Sequence, residues 1–186
     1  MFPYSFPTLL CSFLFCIGCQ HLAEETPSNP NAVRPHVRRD TRIYVGTPLD
    51  ATYKKEPVLD SGRRTGLELK AAFSKISGAV FIGRNNELFA DALDRARTTR
   101  AQYMIFPTIL KWEDHPTEWN GIPDKVEIKL EVVDVVTGEI LYTTIIRARS
   151  HFMTDGGDHP EMLLEEPFNR FAQSLLKSES TPSALR

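Results

Sequence analysis

The sequence predicts one α/β domain over residues 40–177, with a single mixed sheet in which parallel strands come first and a long antiparallel hairpin follows. Two observations predict this class. In the first half of the domain, short apolar runs alternate with segments of helical period, which gives the order β-α-β-α-β. In the second half, a segment that alternates strictly between apolar and charged residues is joined by a turn to another strand and then to a helix. The predicted order is therefore β-α-β-α-β-β-β-α.

The first two strands and the helix between them lie within the first 45 or so residues of the domain. Residues 42–46 are β-branched and aromatic and stop before Pro48, which is typical of a strand. A helix is predicted over 61–76, because apolar residues recur there at helical spacing. Residues 79–82 are uniformly apolar and predict a second, buried strand. The face of the helix that is predicted to be buried consists of Thr65, Leu69, Ala72, Phe73 and Ile76.

A second helix and a third strand complete the parallel part. Asn85 or Asn86 is predicted to cap the helix, since asparagine side chains accept hydrogen bonds from the free amides of the first turn. The third strand is predicted to begin with 103–106. This alternation of strands and helices predicts parallel neighbours with right-handed connections. The apolar stripe of the second helix is predicted to be Phe89, Ala92, Leu93 and Ala96.

The hairpin and the last helix are predicted from the second half. Residues 125–132 alternate strictly, so one face of this strand covers the core and the other shows its charges to solvent. A Thr-Gly pair at 137–138 predicts the turn, and 139–149 predict the returning strand. The last helix begins near Pro160 or Pro167 and ends at 177, and 178–186 predict a disordered tail. The core faces are predicted to be Val126, Ile128, Leu130 and Val132 in the strand and Phe168, Phe171, Ala172 and Leu175 in the helix.

The first residues have the composition of a signal peptide. Residues 2–18 carry no charged side chain, and their apolar core is shorter than the roughly 20 residues that a membrane-spanning helix needs. The segment ends in Cys-Ile-Gly-Cys at 16–19, which resembles the lipobox of bacterial lipoproteins. This resemblance implies that 1–18 are removed, that Cys19 receives diacylglycerol, and that acyl chains such as palmitate hold the mature protein at a membrane. An ordinary secretory leader that is cleaved nearby is the alternative.

The mature chain is predicted to be a tethered domain without disulfides. No cysteine follows Cys19, so the domain depends on its core alone. Residues 19–39 are polar and interrupted by prolines, and they predict a flexible spacer. Gln20 follows the lipid-bearing cysteine, where Asp commonly signals retention at the inner membrane in lipoproteins; the resemblance therefore implies the outer membrane. A formal net charge of -2 gives no reason to expect nucleic acid as a partner.

Two connections carry the unusual residues of the domain. They span 111–124 and 150–160, contain both tryptophans and all three histidines of the domain, and are predicted to leave the sheet at the same end. Sequences in and beside them resemble an uncharacterised family of proteobacterial lipoproteins defined by a domain of unknown function. The resemblance covers most of 40–177 and implies no established activity. It rests on Pro-Thr-Ile-Leu-Lys-Trp-Glu-Asp at 107–114, Thr-Glu-Trp at 117–119, Gly-Ile-Pro-Asp at 121–124, residues 134–141 and Gly-Gly-Asp-His-Pro at 156–160.

Three interpretations of these connections remain open. The first is a non-enzymatic binding or scaffolding role, because tryptophans beside carboxylates have the composition of a protein-recognition surface. The second is a small metal-dependent hydrolase that uses 113–119 and 151–159, since carboxylate and imidazole are common metal ligands. The third is purely structural: turn chemistry, and tryptophans that close the core.

The binding and hydrolase interpretations assign functional roles to different sets of residues. The binding interpretation is preferred, with no cofactor and with an envelope protein and the lipid-held membrane as partners. The hydrolase alternative lacks a recognisable ligand spacing. Its candidate ligands are Asp114, His115, Asp155, Asp158 and His159. The candidate partner-binding residues are Trp112, Glu113, Asp114, Glu118, Trp119, Asp158 and His159.

Overall fold

The structure, a computed structural model, describes residues 22–29, 34–114, 123–150 and 160–176. Six strands form one mixed sheet and two further strands pair separately as a small hairpin. The elements in chain order are β1 (Leu22–Pro27), β2 (Arg42–Val45), β3 (Ala51–Tyr53), β4 (Glu56–Val58), α1 (Ser61–Ser74), β5 (Ala79–Ile82), α2 (Phe89–Thr98), β6 (Tyr103–Glu113), β7 (Lys125–Asp134), β8 (Ile140–Arg149), a 3-10 turn (Pro160–Leu163) and α3 (Glu165–Leu176).

The large sheet has a parallel part and an antiparallel part. Its strand order is β1-β8-β7-β6-β2-β5. Strand β2 pairs in parallel with β5 and β6, and the connections between these strands run through α1 and α2. Strands β6, β7, β8 and β1 pair antiparallel in turn. The predicted α/β class with a mixed sheet is therefore confirmed, and β1 and the β3–β4 hairpin are additions to the predicted order.

The long hairpin follows the predicted alternation. Its turn is held by Asp134, whose Oδ1 accepts hydrogen bonds of 2.9 Å from the backbone N–H groups of Val136 and Thr137. Gly138 follows with a φ of 76°, a conformation that costs little without a side chain. The apolar residues of β7 are at most 2% exposed, as predicted: Val126, Ile128, Leu130 and Val132. The predicted turn and core face are therefore confirmed.

Helices pack on both faces of the sheet. On one face α1 and α3 meet the main core, where the rings of Phe73 and Phe171 are 6.0 Å apart and nearly perpendicular. On the other face α2 packs against Tyr44, Met104 and Phe106 in a second, smaller core. Successive residues of a strand point to opposite faces, so β2 and β6 contribute to both cores. The stripe predicted for the last helix is fully buried, with Phe168, Phe171, Ala172 and Leu175 all at 0% exposure.

Strand β5 lies where it is predicted but is not fully buried. It occupies one edge of the sheet beside β2, and each of its four residues is half-buried. An edge strand has a neighbour on one side only, so even a uniformly apolar run stays partly uncovered. The predicted burial of 79–82 is therefore wrong.

The start of α2 also differs from the prediction. Leu88 takes the N-cap position and makes no side-chain cap hydrogen bond. Asn86 instead has a left-handed φ of 57°, and its Oδ1 accepts a 3.0 Å hydrogen bond from the backbone N–H of Asp50. The predicted cap at Asn85 or Asn86 is therefore wrong, because the asparagine side chain joins two loops instead of closing the helix.

The chain before residue 40 belongs to the fold where it is described, which corrects the predicted flexible spacer for residues 22–29 and 34–39. Strand β1 pairs with β8 from Leu22 opposite Arg149 onward. Val37 is 0% exposed, and its backbone N–H donates a 2.8 Å hydrogen bond to the carbonyl oxygen of Leu175. Backbone pairing with the edge of β8 needs no apolar side chains, so a polar composition does not prevent it. None of the helices in the described ranges is long and apolar enough to span a bilayer.

Candidate binding site at the loop end of the sheet

The antiparallel strands of the sheet finish level with one another. Glu113 at the end of β6 lies opposite Lys125, Lys125 lies opposite Arg149, and Arg149 lies opposite Leu22. These four residues define what we call the loop end. Both connections that carry the candidate residues leave the sheet here, as predicted from the sequence.

The two connections are hydrogen-bonded to each other where they join the sheet. The backbone N–H of Ser150 donates a 3.0 Å hydrogen bond to the carbonyl oxygen of Asp124, and the backbone N–H of Asp124 donates one of 2.9 Å to Ser150 Oγ. These reciprocal bonds hold the point where the first connection enters β7 against the point where the second leaves β8. Any residues that the connections present therefore start from a rigid frame.

Trp112 belongs to the core and not to an exposed loop. Strand β6 continues to Glu113, so the first residues of the predicted 111–124 connection are strand. The Trp112 side chain is 1% exposed, and Arg64 lies over its ring with the guanidinium carbon 5.9 Å from the ring centroid. The indole Nε1 has no hydrogen-bond partner among the residues that the structure describes. Burial corrects the prediction that Trp112 contacts a partner, because an anchor for recognition has to reach the surface.

Glu113 is held in place by two lysines. Its carboxylate lies 3.0 Å from Nζ of Lys111 and 3.8 Å from Nζ of Lys125, and its side chain is 23% exposed. Lys111 lies two residues away on the same strand, and Lys125 lies opposite on β7, so the two ammonium groups approach from different sides. Asp114, the next residue, is half-buried where the connection begins. Both carboxylates are therefore at the loop end, as the binding interpretation requires.

The remaining predicted site residues fall outside the described ranges. For the binding interpretation these are Glu118, Trp119, Asp158 and His159. For the hydrolase alternative, Asp114 is described, whereas its four other candidate ligands, His115, Asp155, Asp158 and His159, lie outside the described ranges. Within those ranges no group of three or more His, Cys, Asp or Glu side chains is arranged to hold a metal ion. The hydrolase hypothesis stays a prediction from the sequence.

A groove of about 470 Å³ runs across the sheet beside the loop end. Cross-strand ion pairs cover its floor: Arg147 lies 2.9 Å from Glu127, and Lys111 and Lys125 share Glu113. Opposite charges on directly paired strand positions stabilise a sheet and keep its exposed face soluble. The groove is lined by Ala23, Glu24, Lys111, Lys125, Val126, Glu127, Arg147, Ala148 and Arg149.

A buried polar network lies elsewhere, at the carboxyl ends of β2 and β5. The carboxylate of Glu87, which is 4% exposed, accepts a 2.8 Å hydrogen bond from the Tyr44 hydroxyl and lies 3.1 Å from Nε of Arg95. Burial, followed by the hydrogen bond to Glu87, raises the pKa of Tyr44. The backbone N–H of Thr47 donates to the same carboxylate at 3.4 Å.

Sequence reasoning missed this network. An acidic residue just before an amphipathic helix normally faces solvent, so nothing about Glu87 in the sequence signals burial. The carboxyl ends of parallel strands are where α/β sheets often bind ligands. Here a side chain added at Gly83 would overlap the Glu87 carboxylate, so the protein's own carboxylate already occupies this position. The arrangement therefore fastens the loop after β5 to β2.

An acidic groove of about 440 Å³ lies between α1 and α3. Burial, together with repulsion from Glu165 and Glu161, raises the pKa of Glu68 in this groove. Basic neighbours reduce its charge: Glu161 pairs with Arg64, Glu165 with Lys75 and Glu166 with Arg170. Three of its four carboxylates are therefore paired with a cation.

Comparison with known proteins identifies a family and a fold. Residues 35–175 match the model of a family described as a domain of unknown function, DUF4823. A PelC variant dodecamer from Paraburkholderia phytofirmans has a TM-score of 0.59 at 15% identity, covering 84% of this chain and 96% of that chain. A second PelC dodecamer from the same organism gives a TM-score of 0.56 at 16% identity, covering 84% and 92%.

A third solved structure is more distant. The lipoprotein GNA1162 from Neisseria meningitidis has a TM-score of 0.45 at 15% identity, covering 74% of this chain and 99% of that chain. No curated protein matches the sequence. The similarity to the PelC structures concerns the fold alone, since fold does not determine function.

Proposed function

The chain belongs to the DUF4823 family of domains of unknown function, and from that premise we propose that it is a lipid-anchored domain that faces the periplasm from the outer membrane. Its role in this proposal is to bind or scaffold an envelope partner without catalysing a reaction. The anchor is Cys19, which follows the apolar leader and the Cys-Ile-Gly sequence. Gln20 in place of Asp supports the outer membrane.

The observation that carries the binding role is the register of the sheet. Because Glu113, Lys125 and Arg149 are level, the two connections with the candidate residues start from one place. A rigid frame that presents two loops side by side is a common way to build a recognition surface. The partner-binding residues in this proposal are Glu113, Asp114, Glu118, Trp119, Asp158 and His159. Trp112 supports them from the core.

A site-specific photo-cross-link in intact cells tests the binding role. A photoreactive amino acid at Asp114 should give one discrete protein adduct, because this position lies at the loop end. The matched position is Val136, which is 84% exposed at the other end of the hairpin and should give no such adduct. Glu118→Ala combined with Trp119→Ala should abolish the Asp114 adduct. Equal adducts from Asp114 and Val136, or an adduct that survives the double substitution, would reject the proposed surface.

Lipidation and location have tests of their own. A fatty-acid analogue should label the wild-type protein and leave Cys19→Ser unlabelled; equal labelling would reject the anchor. Fractionation should recover the labelled protein with outer-membrane markers. Recovery of most of it with inner-membrane markers would contradict the role given to Gln20.

A further inference from the structure

Strand β1 brings the anchored end of the chain to the loop end. Leu22, the first residue of β1, lies opposite Arg149, and only Gln20 and His21 separate it from Cys19. Three residues span at most about 11 Å when fully extended. The Cα of Leu22 therefore lies within about that distance of the Cα of Cys19, so a lipid on the Cys19 sulfur keeps the loop end close to the bilayer surface.

The short link depends on β1 staying in the sheet, and several contacts hold it there. The strand pairs with β8 over its six residues. Arg170 of α3 donates a 3.3 Å hydrogen bond to the carbonyl oxygen of Ala23. Glu25 lies 2.8 Å from Arg34 and accepts a hydrogen bond from Tyr142. These contacts come from three different parts of the fold, so β1 is not a loose extension of the spacer.

Cations line the groove beside the same end. Lys111 and Lys125 share the single carboxylate of Glu113, and Arg147 is neutralised by Glu127. Arg149 is exposed and has no ionic partner among the described residues. It lies directly opposite Leu22, the first residue of β1.

We propose that the loop end faces the bilayer that holds the anchor, and that Arg149 contacts phosphate groups of its lipids. This inference rests on the lipidation of Cys19 in the proposed function. The acyl chains supply the membrane affinity, the short link sets the orientation, and Arg149 reinforces it by favouring contact with an anionic surface by a factor of about five. The carboxylates of Glu113 and Asp114 at this end limit the attraction, so the orientation comes mainly from the length of the link.

This orientation has a consequence for the partner. Strand β7 has ten residues, and at about 3.4 Å per residue it places the hairpin turn about 34 Å from the loop end. The turn therefore points away from the bilayer into the periplasm. A partner recognised by the loop end is then one that lies in or on the same membrane.

Fluorescence quenching in vesicles tests the orientation. The mature chain contains no cysteine except the acylated Cys19, so a single introduced cysteine takes up one label. Lipidated protein labelled at Lys125→Cys or Val136→Cys is reconstituted in phosphatidylethanolamine and phosphatidylglycerol vesicles that carry a headgroup quencher. The label at position 125 should be strongly quenched and the label at 136 should not. Equal quenching at both positions would overturn the inference.

An insertion variant separates this inference from the proposed function. A flexible insertion of about 20 Gly and Ser residues after His21 lengthens the link to several tens of ångströms in reach. It should leave fatty-acid labelling intact and lower the quenching at position 125 to that at 136. If Cys19 is not lipidated, the protein does not stay on the vesicles at all, which is the failure of the proposed function.

A charge reversal tests the phosphate contact. Arg149→Glu in the Lys125→Cys background should weaken the quenching, whereas Arg100→Glu, an exposed cation beside the opposite end of β6, should leave it unchanged. Equal quenching in both variants would overturn the contact with phosphate. Protection of the label without quenching by lipid would show that a second copy or another protein covers this end, and would also overturn the inference.

Discussion

The hydroxyl of Tyr44 on β2 donates a 2.8 Å hydrogen bond to the carboxylate of Glu87, which lies in the loop after β5. Both residues are nearly inaccessible, at 3% and 4% exposure. A buried carboxylate is costly unless it is paired and hydrogen-bonded, and Arg95 together with Tyr44 meets that requirement. The pair therefore holds the loop after β5 against β2.

Removal of the Glu87 carboxylate should destabilise the protein. In Glu87→Ala the Tyr44 hydroxyl loses its acceptor in a buried place, which costs about 1–3 kcal/mol of unfolding free energy. Urea unfolding followed by circular dichroism measures the change. Glu139→Ala, an exposed glutamate at the hairpin turn, is the control and should stay within about 0.5 kcal/mol of the wild type. A similar small effect for Glu87→Ala would contradict the structural role.

The raised pKa of Tyr44 predicts a loss of stability at alkaline pH. In the folded chain the phenol keeps its proton to higher pH than in the unfolded chain, where it titrates near pH 10. Above that pH the unfolded state releases a proton that the folded state retains, so unfolding becomes more favourable as the pH rises. Tyr44→Phe should therefore lose less stability than the wild type between about pH 9 and 11. Parallel stability curves for the two proteins would contradict this assignment.

Leu130 of β7 tests the register of the hairpin. Its side chain is 0% exposed, so Leu130→Ala should lower the unfolding free energy by about 2–5 kcal/mol. Val136→Ala, at 84% exposure, is the matched control and should change it by less than about 0.5 kcal/mol. A loss below about 1 kcal/mol for Leu130→Ala would mean that another face of the strand meets the core.

The parts of the fold that the sequence predicts are those with strong local periodicity. The alternation in 125–132 and the apolar stripe of α3 each place their core residues correctly. Strand β1 has no such signal, because Leu22 and Ala23 are followed by Glu24, Glu25 and Thr26, and the strand is held by the edge of β8. Its existence depends on backbone groups of a strand more than 110 residues later, which no local pattern records.

Some features of the candidate site are likewise predictable from the sequence, and others depend on contacts that form only on folding. The common origin of the two connections follows from hairpin pairing alone, so sequence reasoning finds it. Trp112 looks like an exposed anchor in the sequence because charged residues surround it, but β6 extends far enough to turn its side chain into the core. Glu87 is missed for the opposite reason: its burial depends on Tyr44 and Arg95, which are neighbours only after folding.

Trp112 should behave as a core residue. Trp112→Ala should cost about 3–5 kcal/mol of unfolding free energy, as for other buried aromatic side chains. Trp112→Phe should cost much less, since it keeps most of the apolar volume and removes an indole N–H that has no partner in the described ranges. Thermal or urea unfolding of both variants provides the comparison. If the stability of Trp112→Ala is nearly unchanged, the Trp112 side chain lies at the surface and not in the core.

Gly83 and Glu87 should be energetically coupled. A Cβ at Gly83 would overlap the Glu87 carboxylate, so Gly83→Ala has to displace a buried charge and should cost about 1–3 kcal/mol. In the Glu87→Ala background the space is free, and the same substitution should cost less than about 1 kcal/mol, which a double-mutant cycle measures. Gly78→Ala is the control, because its added Cβ would meet only an ordinary contact 3.7 Å from the carbonyl oxygen of Arg39. Equal costs of Gly83→Ala in both backgrounds would show that the loop after β5 does not depend on the Glu87 carboxylate.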